Sequence, residues 1–437
     1  MMERIAQFFQ FKERDTNFKQ ETIAGLTTFL ALAYILVVNP IVLGEAGMDK
    51  GAVFTATALT IIFGTLMIGI SANYPIGIAP SMGLNAFFTY GVVQSLGVDW
   101  EVALTGVLIA AILFMILSLL KIREKIINAI PQDLKHAVAG GIGFFIAFIG
   151  LKNAGIVVGS EATFVSLGDL TAPSTLLALF AFIITIIMLV YGWRGAIFYG
   201  IILATITGMF VGIINKPEQI VGSVPSIEPT LFVAIQPENL LQALSPEVIP
   251  VIFTFLFVAF FDTAGTLIAI ASQAGLMKDN EVPNAGRALL SDSAASTVGA
   301  LLGTSTTASM VESSAGIGAG GRTGFTSVIL SGMFALALFF SPLLEIIPAS
   351  VTAPALIIVG AMMATEVKQV NWDQIELAIP SFITIIMMPL TFSVATGIAL
   401  GFILYPITMI ASKRGKDIHP LMYVLFVLFI VYFWVNA

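Results

Sequence analysis

Four polar side chains stand where a membrane chain would not be expected to carry them. Glu312 lies in TTASMVESSAGIGAGGRTG, residues 306–324, a small, polar, glycine-rich stretch whose nearest basic residue is Arg322. Asp262 follows Phe260 and Phe261 in the apolar run FTFLFVAFFDTAGTLIAIASQAG. Asp292 lies among Ser291, Ser293 and Ser296, and Asn85 ends the run PIGIAPSMGLN at 75–85. An ionisable group at membrane depth is costly to desolvate, so it marks a functional site by default. Carboxylates there offer acceptors to a ligand rich in N–H donors, and a buried one can take up and release a proton near neutral pH. The amide of Asn85 both donates and accepts, and its readings are ligand contact or packing. Asp292 is read either as tying segments together in a way that couples or gates, or as simple hydrogen-bond satisfaction. Phe29, Phe87, Phe260 and Phe261 offer a stacking face, although most of the chain's 34 phenylalanines must face lipid or neighbouring helices. The substrate-facing set is Asn85, Phe261, Asp262, Met310 and Glu312, and the proton-handling set is Asp262, Asp292 and Glu312. No Lys or Arg lies in the middle of an apolar segment, which disfavours an anionic substrate. A flat heteroaromatic base, carried with a proton, suits both demands. Sodium coupling stays open as the other mechanism, though nothing singles out a sodium site.

These residues need a scaffold, and composition says which kind. Of 437 residues, 58% are hydrophobic and 10% charged, against about a quarter charged in soluble domains. The chain is a polytopic membrane protein. With no cysteine and only His136 and His419, it carries no thiolate, disulfide or histidine-rich metal or haem chemistry. Neither a metal nor a cofactor is expected, and no nucleophile constellation marks an enzyme. The glycines of GIGAGG lack the strand and βαβ unit that a phosphate loop needs, and read instead as sharp turns and close helix approach. The charged first twenty residues are no cleavable signal, and Ile5, Phe8, Phe9 and Phe11 suit a short amphipathic helix on the membrane surface.

A span needs about 20 mostly apolar residues. Such segments fall near 22–44, 52–71, 76–96, 102–120, 135–152, 174–192 and 195–214. After a polar, proline-bearing linker they resume near 248–274, 287–302, 304–320, 323–345, 351–366, 378–395 and 397–412. Segment 419–436 is either a further span or a surface helix. With the N-terminus in the cytoplasm, only Lys50, Lys152 and Lys216 of the 19 basic residues fall outside, the asymmetry expected of a correctly counted topology.

Seven spans on each side of the linker invert the second half relative to the first. Weak internal similarity agrees: Thr28-Phe29-Leu30 matches Thr254-Phe255-Leu256, Ala79-Pro80-Ser81-Met82 falls opposite Thr307-Ala308-Ser309-Met310, and Phe182–Met188 resembles Phe382–Met388. The third and tenth segments are then paired discontinuous helices. Their extended lead-ins, 73–79 and 303–307, must find hydrogen-bond partners inside the protein because lipid offers none. Pairing with each other would serve both.

Four stretches, ETIAGLTTFLALAYILVVNP at 21–40, APSMGLNAFFTY at 79–90, FFDTAGTL at 260–267 and the stretch at 306–324, carry a resemblance over nearly the whole chain. It resembles the nucleobase–cation symporter permeases with the uracil-permease fold, in their AzgA-like adenine, guanine and hypoxanthine branch. The resemblance implies an all-α fold of fourteen transmembrane segments in two inverted seven-span repeats. It implies a core domain (22–121 and 248–345) and a gate domain (122–214 and 346–412), with a cytoplasmic tail at 1–21, an extracytoplasmic linker at 215–247 and a C-terminal tail at 413–437. It also implies a plasma-membrane homodimer whose partners are a purine base, a proton and the bilayer, with no nucleic acid. Carried over by position, Glu312 would bond the purine N–H edge, Asp262 would hold the base and handle the proton, and Asn85 would contact the base. Asp292 matches an acid that supports coupling more than contact. Relatives with a histidine near the eighth-span acid use it, and this chain has none there. An anion or other small-metabolite transporter on the same architecture is the alternative reading.

Overall fold

The computed structural model describes residues 2–119, 131–274, 276 and 283–435. The side chains of Phe260, Phe261, Asp262 and a few other helical residues lie outside the described residues, as do Lys121, Arg123, Lys125 and Lys278 of the topology count. Eight helices among the described residues are long and apolar enough to cross a bilayer. They are Phe18–Gly44 (interrupted at Ala33 and Tyr34), Lys50–Ser71, Trp100–Leu119, Gln132–Asn153, Pro173–Val190, Gly324–Leu344, Ala349–Gln369 and Val394–Ala411. Shorter apolar helices include Ala196–Phe210, Ile375–Leu390 and the first half of Ile249–Gln273. Every apolar segment marked in the sequence carries a helix, and the two marked as broken are broken.

Local chemistry sets the helix starts. Asn17, Asp49, Thr323 and Ser393 each turn a side-chain oxygen onto a backbone N–H of the first turn, satisfying a donor that the helix itself leaves unpaired. Buried threonines within the helices, among them Thr28, Thr57, Thr205 and Thr384, donate to the carbonyl four residues back. Small residues set the packing distance: a Cβ on Gly143 would stand 2.6 Å from the Gly360 carbonyl oxygen. Gln132–Asn153 and Ala349–Ala364 therefore meet backbone to backbone. The closing helix Pro420–Val435 packs on Val394–Ala411, with Phe429 against Phe402 at 5.8 Å and Phe253 at 6.1 Å.

Two antiparallel strand pairs interrupt this bundle. β1 (Ile78–Pro80) pairs with β4 (Thr307–Ser309), and β2 (Val157–Ser160) pairs with β3 (Phe164–Leu167) as a local hairpin. The first pair is buried throughout and joins halves of the chain more than 200 residues apart.

The N-terminal segment departs from the surface-helix expectation. Its helix spans only Met2–Phe8, and Gln10 adopts a positive φ of 60°. Phe9 and Phe11 are thereby turned inward onto Phe325, at 5.7 Å each, while Phe8 stays exposed. Arg14 follows, donating to the carbonyls of Asn73 and Arg322 at 2.8 Å each. Burial pulls its guanidinium down from its ordinary pKa, and Tyr74 and the Glu21 and Glu13 carboxylates oppose that shift.

Candidate substrate site at the paired strands

β1 and β4 meet in the register Ile78 to Ser309, Ala79 to Ala308 and Pro80 to Thr307. The contact extends past both ends, with Ser81 N donating to the Thr306 carbonyl at 3.0 Å and Met310 N to that of Gly77 at 2.9 Å. Donors that the short pairing cannot reach find hydroxyls. Ile76 N donates to Ser327, Gly77 N to Ser313, Ile78 N to Thr65 and Thr307 N to Ser296, all at 3.0 Å. Backbone that is neither helix nor complete sheet thus survives at membrane depth. The lead-ins do not pair with each other as expected: 77–79 pair with 308–310, and 306–307 with 80–81, so each bonds the residues just past the end of the other.

Each strand feeds a short helix. Met82–Ala86 continues as a π-helix over Phe87–Ser95. Ser313–Gly318 is a single six-residue piece with Glu312 at its N-cap. Glu312 Oε1 accepts from the hydroxyl of Tyr34 at 2.7 Å. Beside it Val311 is 48% exposed although Met310 before it is buried, so this junction borders accessible space. Gly316 lets the short helix lie against Phe18–Leu32: a Cβ there would stand 2.0 Å from Thr28 Oγ1 and 2.7 Å from the Ala24 carbonyl oxygen. Beyond the helix, Arg194 donates to the Gly318 carbonyl at 3.0 Å.

The other candidates occupy different surroundings. Asn85 is fully buried and donates to Asn39 Oδ1 at 2.5 Å. Asn39 in turn donates to Thr57 at 2.7 Å and Thr304 at 2.9 Å. Asn85 Oδ1 has no hydrogen-bond partner among the described residues, which leaves an acceptor for an N–H group. Asp292, also fully buried, accepts from the hydroxyl of Thr263 through Oδ2 and from that of Thr307 at 3.2 Å through Oδ1. It therefore joins the helix Ile249–Gln273 to β4. The backbone of Phe261 and Asp262 lies on that helix, which packs against β4; their side chains lie outside the described residues. Two phenylalanines considered for stacking are engaged in packing, Phe87 with Phe255 at 4.9 Å and Phe29 with Phe334 at 5.2 Å.

Sequence reasoning missed Tyr34 and Glu21. Tyr34 belongs to an unremarkable apolar run, and its partner is 278 residues away. Glu21 looks like a charge at the edge of a span, yet it is fully buried. It accepts from the Thr16 hydroxyl, the backbone N–H groups of Arg322, Thr323 and Thr326, and the Thr326 hydroxyl. The only available signal was its acid character at a helix start, where a carboxylate caps well; here it caps another helix.

Membrane-length helices packed with two interrupted ones, one of them headed by a carboxylate, define a multi-pass membrane protein. The chain belongs to the Permease family, whose sequence profile matches residues 19–400. It is 52% identical to the guanine/hypoxanthine permease PbuG of Bacillus subtilis over 435 residues, 98% of each chain. It is 39% identical to the adenine permease AdeP of Escherichia coli, over 99% of this chain and 95% of that one. Among solved structures, the transmembrane domain of the cyanobacterial bicarbonate transporter BicA superposes with a TM-score of 0.66 at 18% identity, covering 87% of this chain and 97% of that one. At that identity the likeness is one of fold.

Proposed function

We propose that this protein imports purine bases across the plasma membrane by proton symport, with hypoxanthine and guanine favoured over adenine. The observation that carries the reading is Glu312, held by Tyr34 at the head of a short helix where the strand pair borders accessible space. A carboxylate in that position accepts hydrogen bonds, and N1 of hypoxanthine and guanine is a donor where N1 of adenine is an acceptor. Asn85 Oδ1 supplies a second acceptor, and Asp262 and Met310 complete the contact with Phe261 as the stacking ring. The printed functions of PbuG and AdeP, guanine, hypoxanthine and adenine transport, lie within this substrate class.

Proton coupling is assigned to Asp262 and Glu312, with Asp292 transmitting between the helix that bears Asp262 and the strand that leads to Glu312. The architecture proposed around the site is two inverted seven-span repeats, a core domain and a gate domain, an N-terminus in the cytoplasm and a homodimeric assembly. The paired broken segments support the inverted repeats, and the placement of basic residues supports the orientation.

Uptake of radiolabelled hypoxanthine, guanine, adenine, uracil and xanthine in a transport-deficient host tests the reading. Saturable uptake of hypoxanthine and guanine that collapses with the proton gradient is expected. Absence of purine uptake would overturn the substrate assignment, and uptake indifferent to the gradient would overturn the coupling. Uptake of bicarbonate or another anion in place of purines would favour the alternative reading.

A further inference from the structure

Tyr34 is fully buried and lies in the two-residue interruption between Phe18–Leu32 and Ile35–Gly44. Neither Ala33 nor Tyr34 is a helix breaker. The Ala33 carbonyl nevertheless accepts from Leu36 N at 3.2 Å, and the Tyr34 carbonyl from both Val37 N at 3.0 Å and Val38 N at 2.9 Å, so the turn mixes contacts to the third and the fourth residue back. From this turn the Tyr34 hydroxyl ends on Glu312 Oε1. The partner is fixed from the other side. Gly316, one turn beyond Glu312, seats the short helix directly on Ala24 and Thr28, so the distance from Tyr34 to Glu312 is set by backbone contact.

We propose that Tyr34 is a positioning residue for transport, which holds one oxygen of Glu312 and so aims the carboxylate at the purine N–H edge. The proposal rests on the purine reading given above. A carboxylate turns about its last bond over a broad range, and one hydrogen bond to a rigid phenol removes that freedom. The hydroxyl also serves either protonation state: it donates to ionised Glu312 and accepts from the protonated acid. The pair can therefore persist through a proton transfer that a phenylalanine could not follow.

The test is guanine binding to purified protein by calorimetry, together with uptake in cells across a pH series. Tyr34→Phe removes one oxygen and keeps the ring. It should weaken guanine binding about tenfold, the upper range for one lost hydrogen bond, raise KM more than it lowers maximal uptake, and shift the pH profile. Combined with Glu312→Asp, whose shorter side chain does not reach the hydroxyl, Tyr34→Phe should add almost nothing. Should Tyr34→Phe fold poorly, 3-fluorotyrosine at position 34 keeps the shape and should still shift the pH profile. Wild-type affinity and pH profile in Tyr34→Phe, with binding lost in Glu312→Gln, would overturn the role of Tyr34 and leave the purine reading standing. An equal loss from Tyr34→Phe in the Glu312→Asp background would also overturn it, since Tyr34 would then act through packing. If the wild-type protein binds no purine, both readings fall together.

Discussion

The two broken segments share one plan and differ in how they spend it. The arm from Pro75 to Ser95 is almost wholly buried, runs from its strand through a five-residue helix into a nine-residue π-helix, and carries a neutral amide tied to Asn39. The arm from Gly303 to Gly321 has a six-residue helix, takes a φ of 104° at Gly320, and carries the carboxylate of Glu312, whose Oε2 is buried although the residue as a whole is partly exposed. Shared geometry thus supports unequal chemistry. In the proposed site the first arm would brace the junction and the second would carry the carboxylate, the economical division where each buried ionisable group is costly.

Substitutions can break or sharpen that contrast. Glu312→Gln should have the largest effect, weakening purine binding about 100-fold if a charge-assisted bond of about 3 kcal/mol is lost, with the melting temperature near wild type. Asn85→Ala should weaken binding about tenfold and also lower the melting temperature, because Asn39 Oδ1 loses its buried donor at a cost of about 1–3 kcal/mol. If Asn85→Ala instead matched Glu312→Gln in affinity at unchanged melting temperature, the two arms would be equals and the contrast would fail. Gly316→Val pushes the working arm off Ala24 and Thr28, an overpacking worth about 1–3 kcal/mol; a lowered melting temperature, partly recovered by Thr28→Ala, is the expected reading. The smallest effect belongs to Asn73→Ala. Asn73 Oδ1 accepts from Gly324 N at 2.7 Å and its Nδ2 donates to the Phe9 carbonyl at 3.0 Å, so its loss should cost about 1–2 kcal/mol in thermal stability and leave KM unchanged.

Much of the contrast was legible before the fold. Proline and glycine at 75–83 and 316–321 announce breaks, and the short similarity between 79–82 and 307–310 places the two arms opposite each other. Glu312 was conspicuous because polar groups are rare in such surroundings. Tyr34 was not, because the turn at Ala33 and Tyr34 involves no residue that disfavours a helix. Nor was the buried role of Glu21, whose partners lie about 300 residues away. The inward turn of Phe9 and Phe11 depends on a positive φ at Gln10 and on Phe325, neither of which local periodicity reports. Periodicity finds the faces of helices; it does not find which distant donor a carboxylate will meet.

The hydroxyls around the strand pair have a consequence for movement. Thr65, Ser296, Ser313 and Ser327 come from four separate helices, and each holds a backbone N–H of the junction. Sliding the strands alone would strip all four bonds at once in a medium with no water to replace them. The strand pair and those four helices are therefore tied into one unit, and any sliding surface would lie farther out, where apolar side chains pass one another without breaking a hydrogen bond.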